Sequence, residues 1–170
     1  MSLLGKTVVL TGAATESGAD ISRELLHKGA AAIGLLDWHG VRLDALAALL
    51  AEEFGEERVV PLPTDLSDRT QVRHSLREFS RIAGGIDVMV ENTGALVNRG
   101  LANLRARGIT NHETGTWHQE LLASTAGVGR NLRAALHELK ARTASPIVTV
   151  TPATAETVQY LVSAVSGPLN

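Results

Sequence analysis

The residues with the clearest chemical potential lie in the segment TGAATESGAD, which starts at Thr11 and directly follows the apolar run KTVVL. Glycine lets a backbone approach a phosphate closely, and the free N–H groups at the start of a helix attract its negative charge. Gly12 and Gly18, with Ala14 between them, therefore predict a phosphate-binding turn between a strand and a helix.

Two acidic side chains leave the role of this turn open. Glu16 lies inside the turn and Asp20 follows in the first helical turn, so both would repel a bound pyrophosphate. Acidic groups at a helix N-terminus also stabilise the helix by roughly 0.3–1 kcal/mol each. The two carboxylates can therefore serve the helix in place of a ligand anion.

Polar residues also follow the next apolar runs. Asp37 follows AAIGLL, Asp65 follows VVPL within a few residues, and Asn92 and Gly94 follow IDVMV. The carboxyl ends of parallel strands meet at one edge of a sheet, where open α/β sheets bind ligands. Asp37 is then either a ligand-binding group or a solvated strand end, and Asp65 is either a ligand-binding group or a helix-capping aspartate.

These positions require strands that alternate with helices. Apolar runs predict strands over 6–10, 31–36, 59–62, 86–90 and 147–150. Apolar residues at helical spacing predict helices over 18–28, 43–55, 68–83, 113–140 and 155–166, the third of them capped by Ser67 or Asp68. The pattern predicts an α/β fold: one domain over 1–170 with three layers and a doubly wound parallel sheet.

The segment between the fourth strand and the long helix, over 92–111, shows little helical period and is expected to be a loop. Such loops often have functional roles. The arginines of this segment, Arg99, Arg105 and Arg107, either meet an anionic ligand or are solvated.

The first turn and the fourth apolar run resemble motifs of the short-chain dehydrogenase/reductase family, whose members have a Rossmann-like fold. The family's turn reads TGxxxGxG; Thr11, Gly12 and Gly18 match it, whereas Glu16 replaces the middle glycine. The segment DVMVENTGA resembles the family's DVLVNNAG, which closes the fourth strand and backs the cofactor. The resemblance covers most of the chain and implies the strand order 3-2-1-4-5, with a ligand crevice at the carboxyl ends of strands one and four.

The resemblance also implies NAD as the cofactor. The family's acidic residue at the end of the second strand matches Asp37, which would accept hydrogen bonds from the adenosine ribose and disfavour the 2′-phosphate of NADP. The pair of Asp37 and Trp38 is similar to the NAD-dependent prostaglandin-dehydrogenase branch of the family. The cofactor-binding residues that the resemblance implies are Gly12, Ala14, Gly18, Asp37, Trp38, Asp65, Leu66, Asn92 and Gly94.

The catalytic positions of the family are not matched. The family uses a serine beyond the fifth strand, then a tyrosine and, four residues later, a lysine, and the tyrosine transfers the hydroxyl proton. In this register Pro152 takes the serine position, and Val162 and Ser166 take the tyrosine and lysine positions. Tyr160 is the only tyrosine of the chain, and Ala164, four residues later, is not a cation. No catalytic residue is therefore predicted.

Composition excludes several classes of function. The chain has 170 residues, a net charge of -2 and no cysteine, so it lacks the basic surface that gathers nucleic acid and cannot form a disulfide framework. No segment predicts an export signal or a membrane span. The six histidines lack the spacing of a metal site, so no metal is predicted. We expect a soluble, cytoplasmic protein.

Two functions are compatible with these observations. The first is an NAD-binding oxidoreductase that acts on a small or lipid-like alcohol or ketone, and family membership favours it. The second is a non-catalytic binding or oligomerisation module, which Glu16 and the unmatched tyrosine and lysine favour. The chain is shorter than is usual in the family, so we also expect an exposed sheet edge and a homo-oligomer.

Overall fold

Five apolar runs form one parallel sheet, and three of them are buried along their whole length. The computed structural model describes residues 3–108, 117–139 and 147–150. The strands are β1 (Thr7–Thr11), β2 (Ala32–Asp37), β3 (Val59–Pro63), β4 (Val88–Asn92) and β5 (Ile147–Val150). The helices are α1 (Glu16–His27), α2 (Gly40–Phe54), α3 (Arg69–Ala83), α4 (Thr93–Ala106) and α5 (Trp117–Leu139), with a 3₁₀ turn at Glu56–Arg58. The strand order is β3-β2-β1-β4-β5 and all four pairings are parallel, which confirms the predicted order.

Helices cover both faces of the sheet. Successive residues of a strand point to opposite faces, and accordingly Leu10 and Val9 of β1 belong to different buried clusters. Leu10 shares its cluster with Leu25 of α1 and with the buried leucines of α2. Val9 shares the other with Phe79 of α3 and Leu132 of α5. The three-layer, doubly wound architecture is therefore confirmed.

Strand β3 forms one edge of the described sheet and pairs with β2. Pro61 and Pro63 lie opposite Leu35 and Asp37 in this pairing. Proline has no backbone N–H, and the N–H of Thr64 donates to the carbonyl oxygen of Asp37 at 2.8 Å. The alternate residues between and after the prolines therefore provide the donors that bind β3 to β2.

Several element boundaries differ from the prediction by a few residues, and two of these differences, at the carboxyl edge of the sheet, affect the site. Helix α1 begins at Glu16, two residues earlier than predicted, because Thr15 caps it: its Oγ1 accepts the N–H of Gly18 at 3.0 Å. Strand β4 continues two residues further than predicted, to Asn92. Glu91 and Asn92 are consequently strand residues, and both are 0% exposed.

The prediction of a loop over 92–111 was wrong, because Thr93–Ala106 forms helix α4 directly after β4. Leu104 anchors this helix and is 1% exposed. Gly94 and Gly100 interrupt the helical pattern in the sequence, since each glycine lowers helix propensity by about 1 kcal/mol. Helix α4 packs against α5, and this tertiary contact outweighs the local propensity.

The last part of the chain is described over α5 and β5. The predicted long helix is present as α5, from Trp117 to Leu139. The predicted helix over 155–166 lies outside the described residues, as do Pro152, Tyr160, Val162 and Ser166. Among the helices of the described residues, none is long and apolar enough to cross a membrane.

Candidate functional site

The first turn uses its own backbone N–H groups to bind the end of β2. The N–H groups of Gly12 and Ala13 both donate to the carbonyl oxygen of Leu36, at 2.8 and 3.3 Å. The N–H of Ala14 donates to Oδ2 of Asp37 at 3.1 Å. These donors already have protein acceptors, so they hold the turn in place and are not directed at a phosphate.

The two glycines of the turn have different roles. Gly12 has a φ of 67°, in the left-handed region that glycine tolerates. Gly18 lies where α1 passes close to the turn: a Cβ there would collide with the carbonyl oxygen of Gly12 and come within 2.7 Å of that of Ala13. Gly18 thus permits α1 to pack against the turn. Its N–H donates to the hydroxyl oxygen of the capping residue Thr15.

Asp37 ends β2 with a buried carboxylate, and the residue is 3% exposed. Its Oδ2 accepts the N–H of Ala14 at 3.1 Å, and its Oδ1 accepts the N–H of His39 at 3.0 Å. The adjacent Trp38 is 47% exposed, and its ring centroid lies 3.8 Å from that of His39. A carboxylate fixed by two backbone donors therefore lies beside a half-exposed aromatic ring.

A crevice of about 380 Å³ opens at the carboxyl ends of the strands. Five of the nine predicted cofactor-binding residues line it, and they come from three separate turns. The other lining residues are contributed by the start of α1, the start of α2 and helix α4. The described lining consists of Gly12, Ala14, Thr15, Asp37, Trp38, His39, Arg42, Leu66, Leu101, Ala102 and Arg105.

The turn after β3 contributes Leu66 to the crevice but not Asp65. Oδ1 of Asp65 accepts the N–H and the hydroxyl of Ser67, at 2.9 and 2.6 Å. The cap of α3 is instead Asp68, which accepts from the N–H groups at positions 70 and 71. The carbonyl oxygens of Leu66 and Ser67 accept Nδ2 of Asn131 at 3.4 and 2.9 Å, so α5 holds this wall of the crevice.

Asn92 is not among the described lining residues of the crevice. The N–H of Asn92 donates to Oγ1 of Thr11, and its Nδ2 donates to Oγ1 of Thr15 and Oγ of Ser17, each at 3.2 Å. Its Oδ1 has no hydrogen-bond partner among the described residues. Gly94 lies in the first turn of α4. Asn92 therefore ties the end of β4 to the first turn.

Helix α4 forms one wall of the crevice, which the loop prediction did not foresee. Arg105 lines the crevice, and Arg107 lies at the C-cap of α4, outside the lining. Arg42 of α2 also lines the crevice and was not singled out from the sequence. Neither Arg42 nor Arg105 forms an ion pair with a described residue.

Comparison with protein families places the chain directly. The model of the short chain dehydrogenase family matches residues 6–165. The chain belongs to this family. The resemblance predicted from the first turn and from the end of the fourth strand is confirmed.

Relatives of this short-chain dehydrogenase chain match it over part of their length. The 15-hydroxyprostaglandin dehydrogenase (NAD(+)) of Homo sapiens is 32% identical over 94 residues, which are 55% of this chain and 35% of that enzyme. The matched segment thus spans about a third of that curated relative.

Solved structures agree with the fold over more of the chain. The L-sorbose reductase of Gluconobacter frateurii, complexed with NADPH and L-sorbose, is 25% identical with a TM-score of 0.61, and the match covers 88% of this chain and 53% of that one. A short-chain dehydrogenase/reductase mutant from Serratia marcescens has a TM-score of 0.67 at 20% identity, with 97% of this chain and 62% of that one covered. The latter likeness concerns the fold alone.

An ion pair at the end of β4 was missed in the sequence of this short-chain dehydrogenase chain. Oε2 of Glu91 accepts Nη2 of Arg133 at 2.8 Å, and the side chains are 0% and 54% exposed. The sequence does place a carboxylate inside an apolar run, and a buried carboxylate requires a cation nearby. This feature could have predicted an ion pair at Glu91. The pair fixes α5 to β4 on the sheet face opposite to Asn92.

Proposed function

We propose that this protein binds an adenine nucleotide, with NAD as the family cofactor, in the crevice at the carboxyl ends of the strands. The convergence of five predicted residues from three separate turns on one crevice is the observation that supports it. These residues are Gly12, Ala14, Asp37, Trp38 and Leu66. Open parallel sheets of this topology bind nucleotides at this edge.

Asp37 supplies the ribose contact in this proposal. Each carboxylate oxygen accepts one backbone N–H, from Ala14 or from His39. A carboxylate oxygen has a second lone pair, so each can still accept one ribose hydroxyl. The negative charge opposes a 2′-phosphate, which favours NAD over NADP. Leu66 and Trp38 offer apolar surface to the adenine ring.

Family membership supports oxidoreduction of a small alcohol or ketone as the reaction. The bound nicotinamide would supply the hydride chemistry. A second candidate, a non-catalytic binding or oligomerisation module, is supported by the sequence at the family's catalytic positions. Neither Val162 nor Ser166 titrates near neutral pH, so neither can replace the tyrosine or the lysine.

Calorimetric titration with NADH tests the binding proposal. We expect saturable binding by the unmodified chain and a loss of about tenfold or more in Asp37→Asn, because a hydrogen bond to a charged group is removed. A parallel fluorescence titration measures energy transfer from tryptophan to bound NADH. In the control variant Trp38→Phe this energy transfer should fall, while the affinity measured by calorimetry should change little. No binding at millimolar NADH would overturn the proposal.

Turnover separates the two candidate functions. NADH oxidation is followed with a panel of small ketones and aldehydes, and NAD reduction with the matching alcohols. Turnover that is lost in Asp37→Asn supports the oxidoreductase. Binding of NADH without turnover of any member of the panel supports the non-catalytic module.

We further propose a cytoplasmic homo-oligomer. The lack of cysteine fits a reducing compartment. Strand β5 lies at the other edge of the described sheet and can offer its outer backbone groups to a second copy. Light scattering after size-exclusion chromatography measures the mass, and a monomer at micromolar concentration removes the oligomer proposal.

A further inference from the structure

The crevice lies on one side of the point where the strand order reverses. In this topology that point is between β1 and β4, and a dinucleotide lies across it with one half on each side. The described lining comes from the turns after β1, β2 and β3, from the start of α2 and from α4. Among the described lining residues, none belongs to β4. The crevice therefore matches the side on which the family's acidic ribose ligand, Asp37, is found.

On the β4 side, the described residues at the ends of β1 and β4 are packed, and α4 begins directly after β4. Thr11, Ala13 and Asn92 are each 0% exposed. The amide of Asn92 is bonded to Thr15 and Ser17, and α4 begins at the next residue. A nicotinamide and its ribose would have to displace these contacts.

Several backbone donors of the first turn are not available to a pyrophosphate. The N–H groups of Gly12, Ala14 and Gly18 already donate hydrogen bonds to acceptors within the protein. Glu16 is the first residue of α1, so its carboxylate lies where the helix N-terminus would otherwise attract an anion. The described residues fit the adenosine half of NAD, whereas those of the first turn and of β4 do not fit the pyrophosphate and nicotinamide half.

The crevice supplies positive charge from a different place. Arg42 comes from α2 and Arg105 from α4, both line the crevice, and both are exposed. Neither is used in an ion pair with a described residue. Guanidinium groups bind phosphate through two parallel hydrogen bonds. A phosphate that entered the crevice would meet these groups without breaking an ion pair of the described chain.

From this disagreement we infer that the crevice is a mononucleotide site, for an adenosine that bears one or two phosphates. Asp37 holds the ribose, and Arg42 and Arg105 hold the phosphate; the nicotinamide half of NAD adds no affinity. The volume of about 380 Å³ lies near the lower limit of ligand sites, which span roughly 300–1,000 Å³. The inference rests on the adenine-nucleotide binding proposed above and narrows it.

Calorimetry with a ligand series tests the inference on the full chain. The series consists of adenosine, AMP, ADP, NAD and nicotinamide mononucleotide. We expect the affinities for ADP and NAD to agree within about threefold, and we expect nicotinamide mononucleotide not to bind. Adenosine should bind about tenfold more weakly than ADP, because it lacks the phosphate and loses about one charge-assisted contact.

Arginine variants locate the phosphate. Arg105→Gln and Arg42→Gln should each lower the affinity for ADP by about tenfold and leave the affinity for adenosine unchanged, because only the phosphate contact is removed. Arg77→Gln, on the exposed side of α3 and outside the crevice lining, is the matched control. Circular dichroism melts of all variants confirm that the fold is retained.

The outcomes separate this inference from the binding proposal. Affinity for NAD that exceeds that for ADP by tenfold overturns the mononucleotide site and leaves adenine-nucleotide binding intact. Equal losses of adenosine and ADP affinity in Arg105→Gln and Arg42→Gln overturn the phosphate assignment. No binding of any adenine compound overturns the underlying proposal.

Discussion

The two halves of the sheet's carboxyl edge are built differently. On the side of β1, β2 and β3 the chain leaves a crevice lined by a fixed carboxylate, a half-exposed tryptophan and two arginines. On the side of β4, Asn92 and the pair of Glu91 and Arg133 are packed at the end of the strand, and α4 begins directly after it. Both halves retain the family's backbone, so side chains at a few positions decide whether the edge binds a ligand or is packed.

Two acidic side chains near this edge depart from the family's motifs. Glu91 replaces an asparagine of the family's segment, and it now binds Arg133 across the sheet–helix interface. Glu16 replaces the middle glycine, and its helix begins with a carboxylate. Glu91 thus joins β4 to α5 through Arg133, and Glu16 adds a negative charge at the start of α1.

The largest expected effect is on the closed side, at Arg133. Arg133→Met removes the cation beside a fully buried carboxylate, and should lower the free energy of unfolding by about 3 kcal/mol. Urea unfolding followed by circular dichroism measures this. Arg130→Met, exposed on the same helix, is the control and should change stability little. The double variant Glu91→Gln with Arg133→Met should recover part of the loss; no recovery would argue against the ion pair as the cause.

The next effect concerns the packing of α1 on the turn, which borders both halves. Gly18→Ala introduces a Cβ that collides with backbone carbonyl oxygens, so we expect a loss of about 2 kcal/mol. Gly40→Ala is the matched control, because a Cβ there meets nothing within 4 Å. Equal unfolding midpoints for the two variants in urea would contradict the collision.

A smaller effect on stability is expected at Asn92, which links the end of β4 to the first turn. Asn92→Ala removes the amide donors to Thr15 and Ser17, and should cost about 1 kcal/mol in thermal or urea unfolding. Asn103→Ala, on α4, is the control. The variant should also raise affinity for NAD relative to ADP, because it opens the β4 side. An unchanged ratio would show that Asn92 does not keep that side closed.

The smallest effect tests the charge at the start of α1. Glu16→Gly restores the family's glycine and removes the carboxylate at the start of α1. Because the phosphates of both NAD and ADP lie at the arginines in our inference, the affinity for each should change by about twofold or less. Asp20→Asn is the control for a general change in charge. Larger gains, equal for NAD and ADP, would show that Glu16 faces the crevice itself.

The fold was predictable because its signals are local. Each strand is a short apolar run, and each helix of the first half has apolar residues at helical spacing. The turn at Gly12 and the carboxylate at Asp37 were also predictable, since they occupy fixed places relative to those strands. The sequence did not predict α4, because Gly94 and Gly100 mask its pattern and its stability comes from packing on α5.

The remaining site residues depend on contacts between distant parts of the chain. Glu91 and Arg133 are 42 residues apart, and Asn131 and Leu66 are 65 apart. No local pattern pairs such residues. Arg42 and Arg105 come from two helices that meet only in the folded chain, so their shared crevice was not visible in the sequence.

The prolines of β3 determine how this sheet can be extended. Because Thr64 donates inward to β2, the alternate residues Pro61 and Pro63 turn their nitrogen atoms towards the outside, where neither has a hydrogen to give. A strand from another molecule therefore finds no donors at these two positions. The β3 margin therefore resists pairing with a further strand, which lowers its tendency towards edge-to-edge aggregation.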